Sequence, residues 1–337
     1  MKAVGYRNSL PITDVQSLID VKIPDPVPGA RDLLVEVKAV SVNPVDTKVR
    51  MRAAPESGGI KVLGWDAAGI VKAVGSSVTL FKPGDEVFYA GSIARPGTNS
   101  ELHVVDERIA GPKPRSLNFA QAAALPLTSI TAWELLFDRL GLVPGDMQRK
   151  GTLLVIGGAG GVGSVMIQLA RKLTGMTVIA TASRPESRDW VLALGAHHAV
   201  DHSKPLAAEV RALGIQHVDF VASLTNSDQH LAQVAEIIAP QGKFGIIDDP
   251  KAFDILALKR KSVSIHWEFM FTRAVFETAD MTAQHRLLKK IAEMVDAGSI
   301  RTTLSGEFGP INAANLKRAH ALIESGRATG KVVLSGF

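Results

Sequence analysis

The sequence predicts an α/β protein in which a β-rich region is joined to a doubly wound parallel sheet. Three observations predict it. Short apolar or alternating segments, punctuated by Pro and Gly, fill about the first 125 residues. Beyond them strand-like runs alternate with segments of helical spacing, the mark of βαβ units. A glycine-rich turn then joins the first of those strands to its helix. The 337 residues are enough for two domains at roughly 150 residues each.

The opening run MKAVGYRNSLPITD reaches polar residues at once and reads as a strand rather than a secretory leader. Leu33 to Val42, Ala67 to Val74, Asp85 to Ala90 and Glu101 to Val105 read as strands. Pro24, Pro26, Pro28 and Gly29 form one loop, and Lys82-Pro83-Gly84-Asp85 is a turn ahead of a strand. Ala120 to Leu125 and Thr131 to Leu140 suit helices. Strands follow at Thr152 to Ile156, Thr177 to Ala182, Val218 to Leu224 and Lys243 to Ile247, with helices at Gly163 to Leu173 and Arg188 to Leu194. The tail closes on a strand-like Lys331 to Ser335 that is expected to return to the first domain.

Composition narrows the chemistry. Hydrophobic residues make up 46% and charged residues 21%, a globular profile. Cysteine is absent, so there is no disulfide, no thiolate nucleophile and no thiolate metal ligand. Lys and Arg number 38 against 33 Asp and Glu, a net +5 spread along the chain with no basic–aromatic stripe, which permits nucleic acid but counts against it as the main partner. No apolar run approaches the ~18 residues that span a bilayer, and a cytoplasmic protein is expected.

The strongest local signal is the run from Leu153 to Ile156 followed by Gly158-x-Gly160-x-x-Gly163 and a helix expected to stop at Gly175. Gly158, Gly160, Gly161, Val162 and Gly163 are the expected cofactor contacts. A tight glycine turn brings backbone N–H groups to a diphosphate at a helix N-terminus. The second strand of such a unit ends in an acid when the ribose 2′-OH is free. Here it ends in Ser183-Arg184, with Arg188 one turn on. A guanidinium fork suits a 2′-phosphate, which points to NADPH rather than NADH.

Several motifs occur in order: Asn43-Pro44-Val45-Asp46-Thr47, Gly64-Trp65-Asp66-Ala67-Ala68-Gly69, Phe81-Lys82-Pro83-Gly84-Asp85-Glu86-Val87, Thr128-Ser129-Ile130-Thr131-Ala132-Trp133 and the glycine turn. Together they resemble the medium-chain dehydrogenase/reductase superfamily. The nearest likeness is to its zinc-free, quinone-oxidoreductase (zeta-crystallin)-like branch, beside the group often labelled zinc-binding alcohol dehydrogenases. The resemblance covers nearly the whole chain. It implies a GroES-like domain at 1–126 and 275–337, a Rossmann domain at 127–274, a cleft between them, and a homodimer or homotetramer.

In zinc-dependent relatives a Cys stands near Asn43, a His stands where Trp65 is, and another Cys lies near Leu127. None is present here, and the four-Cys structural lobe is missing too. No metal site is expected. His197, His198, His202 and His217 lack clustered acids and read as surface or loop histidines. Without a Lewis acid, hydride delivery to an electron-poor quinone or α,β-unsaturated carbonyl is the easier chemistry. An enoyl or alkenal double-bond reductase is the neighbouring alternative. A cofactor-binding protein with incidental turnover, crystallin-like or RNA-binding, is a third.

The resemblance makes Asn43 the first candidate hydrogen-bond donor at the nicotinamide and substrate, with Asp66 beside it. Asp46 reads equally as a turn cap. Lys48 stands where many quinone reductases carry a Tyr, and is either a proton donor or a solvated cation. Thr131 resembles the threonine that packs on the nicotinamide. Trp65 and the aromatic stretch Trp267, Phe269 and Phe271 suit a pocket for a flat apolar substrate, or else core or subunit packing.

Overall fold

The computed structural model describes residues 1–55 and 58–337. The chain divides into one unit of Met1–Ile130 with Phe271–Phe337 and a second of Thr131–Met270. Each boundary lies four residues from the expected one.

The first unit holds strands β1 (Lys2–Tyr6), β2 (Ile19–Lys22), β3 (Asp32–Ser41), β4 (Lys61–Val62), β5 (Asp66–Val74), β6 (Glu86–Tyr89), β7 (Leu102–Asp106) and β8 (Ala110–Pro112). The second holds β9 (Asp146–Ile156), β10 (Thr174–Thr181), β11 (His198–Val200), β12 (Val218–Ser223), β13 (Ile238–Ile246) and β14 (Ser264–Trp267). β15 (Leu304–Glu307) and β16 (Lys331–Ser335) complete the first unit.

In the first unit a sheet runs in the order β15-β16-β3-β5-β6-β8, with β7 also on β3, beside a smaller β2-β1-β4 sheet. β3 alternates apolar Leu33, Val35, Val37 and Ala39 inward, the period expected of a half-buried strand. The turn ahead of β6 closes as expected: Asp85 N–H donates to Lys82 O, Lys82 N–H to the Asp85 carboxylate, and Gly84 takes φ +93°. β16 pairs antiparallel with β3, Val333 opposite Ser41, so the tail returns to this unit.

The second unit is a six-stranded parallel sheet ordered β11-β10-β9-β12-β13-β14. Counting from its own first strand this is the 3-2-1-4-5-6 order of a doubly wound dinucleotide fold, which reverses between β9 and β12. Leu153, Leu154, Val155 and Ile156 are all buried, as both faces of a parallel sheet are covered.

Three local expectations are corrected. The helix Gly161–Leu173 ends before Gly175, which lies inside β10 with an ordinary φ. A Cβ there would stand 2.5 Å from Met147 O, so this glycine serves close approach of β9, not a helix cap. The helix expected over Thr131 to Leu140 is Pro126–Trp133 followed by a π-helical turn Glu134–Arg139, Leu140 N–H reaching Leu135 O. The helix near Arg188 starts earlier, at Pro185, which supplies a preset φ for its first turn.

Candidate functional site

Two constellations carry chemistry, one in each unit. In the first unit, Asn43 caps the helix Pro44–Arg52, and the carboxylate of Asp46 accepts from Asn43 N–H (2.7 Å) and Gly64 N–H (2.9 Å). Asp46 therefore ties the helix start to the loop before β5. Burial pushes its carboxyl up to about 7, against the pull of those N–H groups and of Lys331.

Asp66 opens β5 and is fully buried. Its Oδ1 accepts the backbone N–H of Leu127 at 2.7 Å. Its Oδ2 accepts Asn43 Nδ2 at 2.8 Å and Lys331 Nζ at 3.0 Å. The same ammonium donates to Asn43 Oδ1 and to Val42 O. Asn43, Asp66 and Lys331 thus form one closed amide–carboxylate–ammonium network, each residue 3% exposed or less. Lys331 was not found by sequence reasoning. It begins a strand 288 residues from Asn43, and no local spacing links the two.

Trp65 precedes Asp66 and lies 1% exposed, its indole N–H on Ser92 O and its ring edge-on to Phe271 at 6.1 Å. The expected aromatic stretch is split. Phe271 packs in the first unit with Trp65, whereas Trp267 and Phe269 belong to the second unit and are 55% and 49% exposed. Lys48 is half-buried on the same helix as Asp46.

In the second unit the turn after β9 lies at the carboxyl end of the strand where the order reverses. A Cβ on Gly158 would stand 2.8 Å from Ala180 Cβ, and one on Gly163 would stand 2.5 Å from Gly158 O. Both glycines are demanded by the fold itself. Gly160 is different, for its Cβ would meet only Gly157 O at 3.5 Å. The turn is open there, on the residue that caps the helix Gly161–Leu173, whose first N–H groups have no intrahelical partner. Such a cradle fits a diphosphate, with Gly161 and Val162 half-buried beside it. Beyond β10, Ser183 is exposed, and Arg184 is half-buried with Nη2 donating to Ser187 Oγ at 3.2 Å. Arg188 follows one turn on, bonded through its N–H to Arg184 O. Thr131 is buried on the helix Pro126–Trp133.

The same unit buries a carboxyl pair that sequence reasoning also missed. Glu268 follows β14 and Glu134 opens the π-helical turn. Desolvation, and then the Glu134 charge, push Glu268 up to about 9, while Arg139 Nε at 2.8 Å opposes them.

The alcohol dehydrogenase GroES-like domain family matches residues 29–115, and the zinc-binding dehydrogenase family matches residues 194–334. A zinc-type alcohol dehydrogenase-like protein of Staphylococcus epidermidis is 36% identical, across 99% of this chain and 99% of its own. The chain belongs to the medium-chain dehydrogenase/reductase superfamily. A solved structure from Rhizobium etli CFN 42, described by name as of the zinc-dependent alcohol dehydrogenase kind, is 62% identical, with TM-score 0.95 over 100% of this chain and 98% of that one. A Pseudomonas syringae quinone oxidoreductase is 26% identical, with TM-score 0.82 and 99% of both chains covered. An NADPH-dependent alkenal/one oxidoreductase of Arabidopsis thaliana is 29% identical over 90% of this chain and 71% of its own. The protein is thus an oxidoreductase of this superfamily.

The family names carry zinc, and the residues here do not fit it. The resemblance implies zinc ligands near Asn43, at the position of Trp65 and near Leu127, and these residues offer a carboxamide, an indole N–H already bonded and a main-chain N–H. The carboxylates beside them are taken, Asp66 by the Lys331 ammonium and Asp46 by the N–H groups of Asn43 and Gly64. A tetrahedral zinc needs thiolate, imidazole or free carboxylate donors. Among the described residues no group of three His, Cys, Asp or Glu is placed to hold a metal ion, and no helix is long and apolar enough to cross a membrane.

Proposed function

We propose that the protein reduces quinones or other activated α,β-unsaturated carbonyls with NADPH, without zinc. The observation that carries the reading is the Asn43–Asp66–Lys331 network, a buried ammonium standing among the positions where zinc-dependent relatives place their ligands. When bound, NADPH supplies the hydride, and an electron-poor acceptor then needs only hydrogen-bond support and a proton. Asn43 supports the acceptor through its second amide N–H, which in the closed network makes only a long 3.5 Å bond to Ser41 O, while Asp66 and Lys331 hold the rest of the carboxamide. Lys48, half-buried on the same helix, is the proton donor. Thr131 packs on the nicotinamide.

The cofactor preference rests on the arm after β10. It carries Ser183 and Arg184 with no acid until Glu186, and Arg188 follows one turn on. The exposed Trp267 and Phe269 offer flat apolar surface to a quinone-like substrate or to a second copy of the chain. β14 is the outer strand of its sheet, which favours the homodimer. The alkenal reductase reading differs only in the acceptor, and the Arabidopsis relative supports it. Turnover of Asn43→Ala and Lys48→Ala tests the site assignment. Each is expected to lose about a hundredfold or more in kcat/KM, the lower end for general acid–base or hydrogen-bond catalysis. Wild-type turnover in both would overturn it.

A further inference from the structure

The glycine turn and the arginine arm are separate segments, Gly157 to Gly163 and Ser183 to Arg188, yet the structure ties them together twice. Before the arm, Thr181 closes β10 with its hydroxyl accepting Gly157 N–H at 3.0 Å. After the arm, Trp190 donates its indole N–H to Ser164 Oγ at 2.8 Å, and that hydroxyl donates onward to Gly160 O at 2.7 Å. Gly160 is the open residue of the turn. Ser164 and Thr181 are fully buried, and Ser187, which receives Arg184, is 3% exposed.

We infer that Trp190, acting through Ser164, is a positioning residue that fixes the spacing between a diphosphate subsite at Gly160 and a 2′-phosphate subsite at Arg184 and Arg188. The inference rests on the NADPH reading and deepens it. A ligand bearing both phosphates bridges the two subsites with a rigid ribose. It gains from each only if their separation is set before it binds, because ordering the arm afterwards would be charged against affinity. Tryptophan suits the role chemically. Its indole N–H is a donor with no acceptor capacity, so it bonds the serine oxygen while the serine hydrogen stays on Gly160 O. The helix Pro185–Ala193, which carries Ser187 and Arg188, is thereby pinned at Trp190 to the helix that starts at the turn.

A structural strut would support both ligand fragments alike, whereas a spacer favours the fragment that engages both subsites. Calorimetric titration of the full chain with 2′,5′-ADP and with 5′-AMP separates the two. The wild type is expected to bind 2′,5′-ADP more tightly. Trp190→Phe keeps an aromatic ring, though a smaller one, and removes the donor, and Ser164→Ala removes the relay. Each is expected to shrink the preference for 2′,5′-ADP by about 3- to 10-fold, the worth of one hydrogen bond, while 5′-AMP affinity changes less than about twofold. An unchanged preference in both variants would overturn the inference, as would equal weakening of the two ligands. A wild type with no preference for 2′,5′-ADP would refute the NADPH reading itself, before any variant is made.

Discussion

Lys331 and Asp66 meet inside the first unit, Nζ to Oδ2 3.0 Å, though 265 residues separate them in sequence. Their side chains are 3% and 0% exposed. A pair so far from water is held by complete bonding rather than by charge alone, and here Asn43, Val42 and Leu127 complete it. The network anchors the tail strand β16 to the start of β5 and fixes which way the Asn43 carboxamide faces.

Breaking one side of that pair should be costly. Lys331→Met strands the Asp66 carboxylate and should destabilise the protein by about 3–5 kcal/mol in urea unfolding. Adding Asp66→Asn to Lys331→Met should recover part of the loss. A double variant that loses the sum of the two single effects would show that the residues do not act together.

The glycines of the turn should separate into two kinds. Gly163→Ala forces a Cβ to 2.5 Å from Gly158 O, and should lower stability by roughly 1–3 kcal/mol as an overpacked site does. Gly160→Ala meets no such contact and should leave the melting temperature nearly unchanged while weakening 5′-AMP binding. Thermal unfolding and calorimetric titration of both variants check the contrast. A destabilised Gly160→Ala with intact binding would reverse it.

Glu268 makes a pH prediction of definite sign. Its carboxyl is raised from an ordinary 4.5 to about 9 in the folded protein. The folded state therefore keeps a proton that the unfolded chain has already released. The stabilisation is full below about 4.5 and is lost as pH rises towards 9. Glu268→Gln holds the neutral form at every pH. Its melting temperature should fall less steeply than that of the wild type between about pH 5 and 9. Parallel curves would show that Glu268 does not carry the slope.

Legibility of the fold followed the range of the signal. The glycine turn, the Lys82–Asp85 turn and the β16 segment are written in residues within a few positions of one another, and periodicity or turn chemistry exposes them. Gly175 misled because a glycine after a helical run looks the same whether it caps a helix or admits a neighbouring strand. The aromatic stretch left two readings open, pocket or packing, for another reason. Trp267, Phe269 and Phe271 are consecutive odd positions, but the chain passes between units at Met270, so Phe271 packs with Trp65 instead. Lys331, Glu134 and Glu268 were illegible because their partners are brought to them only by tertiary structure.

The activity proposed for the protein is metal-free, NADPH-dependent reduction of an activated double bond or quinone. Steady-state oxidation of NADPH, beside NADH, against quinones, enones and aldehydes with a chelator present tests it most directly. Rapid NADPH oxidation with a quinone or enone, slower NADH oxidation and indifference to the chelator are the predicted result. Turnover that the chelator abolishes, or aldehyde reduction without quinone or enone reduction, would contradict the account.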